Sequence, residues 1–235
     1  MDLKYIIRTN IKKILSIIIP NSEKLRYLFY LPKLREQKFK DKKIKSFKNR
    51  FKLYDYMNEQ IFNNSKITFL EFGVFEGESI NYWCELNSNQ ESRFIGFDTF
   101  EGLPESWQQF SMKLKKATFD THGKIPEIND KRVSFYKGLY QHTLEDYLKT
   151  LDINGQLIIH MDADLYSSTL FVLCKLDNFI KDGTIILFDE FSSVLHESRA
   201  LEDYVVSHSR DYEVLCSTNL DPESYFNEIA IRITK

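Results

Sequence analysis

The sequence predicts an α/β fold: a mostly parallel, doubly wound sheet with helices on both faces. Three observations carry this. From Ile67 onward, short apolar runs alternate with stretches of helical periodicity. The first unit, Ile67 to Asp98, runs strand, glycine loop, helix, strand, terminal acid, which is half of a nucleotide-type site. Two later apolar runs, Leu157–Met161 and Ile185–Phe188, lead directly into acids. Ligands bind outside the carboxyl ends of strands in such sheets, so these acids are expected along one edge.

Taken in order, Leu3, Ile7, Ile11, Ile14 and Ile18 share one helical face, with Lys4, Arg8, Lys12 and Lys13 between them, and Pro20 ends the pattern. Lys33–Lys52 is densely basic, yet Ile44, Phe47, Phe51 and Tyr54 repeat at helical spacing, which predicts a helix with one buried face. Seven strands are expected, at Thr68–Phe72, Phe94–Phe97, Val133–Lys137, Leu157–Met161, Thr184–Asp189, Tyr212–Cys216 and Glu228–Ile233. Helices fill 79–87, 143–150, 167–181 and 196–208, and Thr99–Asn129 reads as a long functional loop. The division is a basic helical extension or cap over 1–55 and a ligand-binding domain over 56–235.

The 235 residues, 43% of them hydrophobic, suffice for one large domain with an extension. Net charge is only −2, but residues 1–52 hold 16 Lys/Arg against 4 Asp/Glu, a net of +12, and the remainder carries −14. A basic arm on an acidic body suits an anionic membrane surface or a phosphate-bearing ligand. The isoleucine face suits equally the body of the protein or a second subunit, hence a homodimer. No nucleic-acid motif accompanies the charge, so nucleic acid is not an expected partner. Ile14–Ile19 is too short to span a bilayer and lacks a cleavage site. Cys84, Cys174 and Cys216 lack metal spacing and sit in apolar patterns, as buried thiols in a reducing compartment do. The expected location is cytoplasmic, with the arm able to place the chain peripherally at the inner membrane face.

The loop Gly73-Val-Phe-Glu-Gly77 departs from the dinucleotide pattern, and Glu71, Glu76 and Glu78 flank it. Three carboxylates repel a pyrophosphate, which disfavours NAD, but they suit a ligand with a positive end such as S-adenosylmethionine. Ser79 occupies the expected N-cap of the following helix, whose free N–H groups would face the ligand. Asp98, at the end of the second strand, is placed to bind ribose hydroxyls. Glu71, Asp98, Asp162, Asp164, Asp189 and Glu190 would crowd one edge, and a hard cation such as Mg²⁺ would relieve their repulsion. Asp164 also suits a plain helix N-cap. Of the histidines, His142 and His196 fall at loop–helix junctions and His142 is a candidate second base, whereas His160, inside a strand, reads as a satisfied core residue.

At these residues the chain resembles the macrocin O-methyltransferase family of S-adenosylmethionine-dependent sugar methyltransferases. The matching pieces are FLEFGVFEGES (69–79), FIGFDTFEGLPESW (94–107), FYKGLY (135–140), HTLEDYL (142–148), HMDADLYSST (160–169) and DGTIILFDEF (182–191). The resemblance implies a class I methyltransferase (Rossmann-like) fold, seven-stranded with the last strand antiparallel, and Mg²⁺-dependent methyl transfer to a sugar hydroxyl. The acceptor would be a sugar-containing small molecule, a glycan or glycolipid precursor, or a glycosylated natural product. A catechol-like hydroxyl is the alternative acceptor for the same site. Carried over by position, Glu71, Gly73 and Gly77 hold the methionine end, Asp98 the ribose, and Thr99 and Phe100 the adenosine edge, with Ser79 at the helix start a further cofactor-binding candidate. Asp162, Asp189 and Glu190 are implied as metal ligands, with Asp162 also against the cofactor. Asp162, Asp164 and His142 are the catalytic candidates. His142 stands where the family pattern leads one to expect an acid.

Overall fold

A computed structural model describes residues 10–15, 17, 22–32, 43–109, 112–153, 155–218 and 227–235. Its strands, in chain order, are β1 (Lys45–Phe47), β2 (Ile67–Phe72), β3 (Arg93–Asp98), β4 (Trp107–Gln109), β5 (Met112–Leu114), β6 (Val133–Lys137), β7 (Gln156–Met161), β8 (Ile185–Phe188), β9 (Tyr212–Thr218) and β10 (Ile229–Ile233). Named helices are α1 (Glu23–Tyr30), α2 (Arg50–Tyr56), α3 (Glu78–Leu86), α4 (Tyr140–Leu148), α5 (Tyr166–Leu176) and α6 (Glu197–Ser207). Residues 10–15 are also helical.

The main sheet has the order β1-β9-β10-β8-β7-β2-β3-β6. Strands β6, β3, β2, β7 and β8 are parallel, and β10 runs antiparallel between β8 and β9. The expected seven strands are present, but the sheet has eight. The eighth comes from the basic arm, where β1 pairs parallel with β9 in the register Lys45↔Cys216 to Phe47↔Thr218. This also corrects the single helix expected over 33–52: Ile44 precedes β1, Phe47 ends it, and α2 starts only at Arg50, after its N-cap Asn49 accepts the Lys52 N–H at 3.1 Å. The open edge of β9 takes priority over local helical periodicity. Residues 33–42 lie outside the described residues, as do 1–9 and 18–21.

Alternation along β2 divides the core. Leu70 and Phe72 join Phe97, Ile159, Met161 and Phe188 beneath α4, α5 and α6, while Ile67 and Phe69 pack with Leu53, Met57 and Trp83 beneath α2 and α3. The arm helix α2, continued by a π-helical stretch over Met57–Phe62, therefore covers the second face together with α3. Two expectations need adjustment. Helix α5 ends at Leu176 rather than 181, where Asp177 receives hydrogen bonds from Arg210 and the Tyr204 hydroxyl. Cys84 and Cys216 are buried thiols, but Cys174 is exposed on α5. Among the described residues no helix is long and apolar enough to cross a membrane.

Candidate active site

A cavity of about 570 Å³ opens at the carboxyl ends of β2, β3, β7 and β8, with Gly73, Asp98, Asp162, Asp164 and Asp189 in its walls. The loop after β2 needs its first glycine. Gly73 has φ +95°, and a Cβ there would lie 1.7 Å from the Asp162 carbonyl oxygen. Gly77, at φ +83°, is itself the N-cap of α3. Ser79, expected at the cap, sits in the first turn instead, where its hydroxyl accepts from Arg50 Nη1 at 3.3 Å.

Asp98 closes this wall. Its Oδ2 accepts the N–H groups of Val74 (2.7 Å) and Phe75 (2.9 Å), and its Oδ1 accepts that of Phe100 (2.8 Å). A carboxylate has about four acceptor sites, so it sets the loop first and keeps room for one more donor from the cleft. Thr99 also lines the cleft, with its hydroxyl donating to the Gly102 carbonyl at 3.1 Å. Phe100 does not. It is fully buried, edge-on to Phe135 at 6.2 Å. The aromatic surface on the cleft comes from Phe75 and Phe119, about 40% exposed and edge-to-face at 5.6 Å, and from Tyr140.

On the other side the acids separate into two groups. Strand β7 ends at Met161, and Asp164 turns left-handed at φ +57°, so Asp162 and Asp164 leave the strand in different directions. Asp162 and Asp189 face Arg50, whose Nη1 lies 3.9 Å from Asp162 Oδ2 and whose Nη2 lies 3.3 Å from Asp189 Oδ2. The Arg50 Nε completes the group, 3.0 Å from Glu228 Oε1. Burial works against the charge on Arg50, but Asp189 foremost, with Asp162 and Glu228, outweighs it and raises its pKa. Asp164 instead lies beside Glu190. Glu190 also accepts from the Ser193 hydroxyl at 3.2 Å, and its own N–H donates to buried Glu197. Asp164 is not the cap of α5, since that position is Leu165.

Crowding without water raises these carboxyls. Burial, then Asp189, pushes Asp164 to about 7. Burial, then Asp164 and Asp189, pushes Glu190 to about 9. Burial and the same neighbour raise Asp162 well above the ordinary range, and Glu228 to about 9. Behind them, Glu71 is fully buried, with Oε1 2.8 Å from His160 Nδ1, and His160 Nε2 is 3.3 Å from the Tyr54 hydroxyl. Burial raises Glu71 and lowers His160 to about 4. Glu71 thus lies behind the cleft rather than on it.

The donor chemistry suits a divalent cation at Asp162 and Asp189, because Asp189 Oδ1 is buried with no hydrogen-bond partner. Ligand atoms of His160, Asp162 and Asp189 lie within 4.8 Å of one another. Glu190, the expected third ligand, is directed to Asp164, and the imidazole of His160 stands in that place with both nitrogens already engaged. His142 lines the same cleft from the first turn of α4. Sequence reasoning missed Arg50, Glu228 and Phe119, and no local signal marks any of them. His196 lies outside the cleft walls, stacked on buried Trp107 of the β4–β5 hairpin at 5.3 Å. This hairpin gives order to the stretch expected to be an irregular loop.

The strand order, the glycine turn after the first parallel strand and the acid ending the second define a class I methyltransferase fold. The chain belongs to the methyltransferase domain family, whose model matches residues 70–191. Among solved structures it is similar to CalS11, a calicheamicin methyltransferase described as a TDP-rhamnose 3'-O-methyltransferase (18% identity, 99% of this chain, 93% of that one, TM-score 0.55). It is also similar to the O-methyltransferase NovP (17% identity, 91% of this chain, 100% of that one, TM-score 0.59). A third likeness is to cmcI-D160 with Mg and SAM (15% identity, 80% of this chain, 73% of that one, TM-score 0.52). At such identities the likeness is one of fold. A search of curated proteins by sequence finds no match.

Proposed function

We propose that this chain is an O-methyltransferase that transfers the methyl group of S-adenosylmethionine to a sugar hydroxyl. The observation that carries this is one cleft bounded by the Gly73–Gly77 loop and Asp98 on one wall and by paired acids on the other. It places a donor-binding wall against a wall able to take up a proton. CalS11, named for action on TDP-rhamnose, supports a sugar acceptor.

Asp98 would take a ribose hydroxyl on its remaining acceptor site, and Phe75 and Phe119 would cover the adenine. The donor supplies a methyl on sulfonium sulfur. The C–S bond breaks as the C–O bond to the acceptor forms, and the hydroxyl proton passes to a carboxylate. Asp164 suits that role, since it lines the cleft and its pKa stands near 7. Asp162 and Asp189 would hold a divalent cation, which when bound lowers the pKa of a ligated hydroxyl. In-line positioning by these walls supplies much of the acceleration.

Calorimetry of the full chain should show binding of S-adenosylmethionine and its demethylated product, and none of NAD. Asp98→Ala should weaken that binding about ten-fold or more, from loss of a charge-assisted bond of roughly 1.5–3 kcal/mol and release of the loop. Incubation with nucleotide sugars should then yield a methylated product by mass spectrometry. Heat with NAD alone would sink the reading, and methylation of catechols but not sugars would replace the acceptor.

A further inference from the structure

Arg50 is the unexpected member of this site. It opens α2, and both its neighbours in structure hold it there: β1 is laid along β9, and the Asn49 cap fixes the first turn. From this position the guanidinium reaches three carboxylates, Glu228 at 3.0 Å, Asp189 at 3.3 Å and Asp162 at 3.9 Å. The side chains of Glu228 and Asp189 are each only 7% exposed, so these contacts are poorly screened. Two of the three acids are those proposed above to ligate a divalent cation.

We infer that Arg50 is the resident counter-cation of the Asp162–Asp189 pair, and that its guanidinium and a divalent cation are alternative occupants of those two carboxylates. The inference rests on the proposed metal site. Two carboxylates this close call for a cationic partner between them, and a fork-shaped guanidinium reaches several oxygens at once. A divalent ion held by Asp162 and Asp189 would share the carboxylates that the guanidinium now contacts, and like charges that close repel strongly outside bulk water. The ion therefore has to move Arg50 off Asp189. Glu228 and Ser79, which are not among the proposed ligands, remain as partners for the displaced side chain. Arg50 is thus a positioning residue supplied by the arm, and it sets how tightly the site takes a cation. A guanidinium that only fastens the arm to the body would leave cation affinity unchanged.

Mn²⁺ is the probe, titrated into the full-length chain with the free ion read by electron paramagnetic resonance. Wild type, Arg50→Gln and Arg50→Lys are compared, with Asp189→Asn added to the Arg50→Gln background to place the signal. Arg50→Gln should bind one Mn²⁺ with a Kd at least ten-fold below that of wild type, and Asp189→Asn should abolish it. Arg50→Lys keeps a charge but gives up the fork, and should fall between. If wild type and Arg50→Gln bind Mn²⁺ equally well, the competition is refuted while the metal site stands. If neither variant binds Mn²⁺, the metal site and this inference fall together. Should Arg50→Gln not fold, equal affinities of wild type and Arg50→Lys overturn the inference.

Discussion

Asp162 and Asp164 are two residues apart, and their fates differ because the strand has ended at Met161 and Asp164 turns left-handed. One acid joins the Arg50 group and the other lies beside Glu190. The second group has a measurable consequence. Glu190 has a folded pKa of about 9 against about 4.5 when unfolded, because burial and then Asp164 oppose its charge. A carboxyl raised in this way contributes stability that is complete below the unfolded pKa and is lost as pH rises through the folded one. Tm should therefore fall between pH 6 and pH 9. Glu190→Gln, locked neutral, should give a shallower fall by scanning fluorimetry across that range. An unchanged slope would mean that the fold does not resist charge at Glu190.

At the scale of elements, β1 shows how a weak local pattern yields to an open sheet edge. Phe47 packs against Tyr56, with ring centroids 5.2 Å apart, and covers part of the second core. A chain starting at residue 44 keeps this strand and is the reference, since it already lacks α1 and the core residue Tyr27. A chain starting at residue 49 keeps Arg50 but bares the edge of β9. Losing the partly buried Phe47 and its pairing should cost roughly 2 kcal/mol, or about 4–8 °C in Tm, with more self-association by light scattering. Equal melting of the two chains would show that β1 only rests on the sheet.

For the whole molecule, the +12 arm and −14 body remain the feature that the cleft does not explain. Among the described arm residues, Ile11, Ile14 and Ile17 are at least half exposed on helical backbone. The proposed use is peripheral contact with an anionic membrane, where each basic residue contributes on the order of 1 kcal/mol and salt weakens the sum. The full chain should co-sediment with anionic vesicles at low salt and release at high salt. The form lacking residues 1–48 should stay in the supernatant. A full chain that ignores vesicles, paired with a truncated form that turns from dimer to monomer, would assign the arm to a subunit interface.

The main strands after residue 66, their flanking helices and the acids at strand ends were legible because each depends on local periodicity or on a residue's place at the end of a run. Asp98 and the Gly73–Gly77 loop fall in this class, and the cleft forms where the strand order predicts. Three features were not legible. Arg50 meets Asp189 across 139 residues of sequence, and Glu71 meets His160 across 89. Phe100 turns into the core while Phe119, from a stretch with no regular pattern, reaches the cleft. The eighth strand depends on an edge that exists only once β9 is in the sheet. Spacing along a chain reports which face a side chain takes on its own element. Which distant charge it meets is set by sheet order and register, and these arise only when the elements pack.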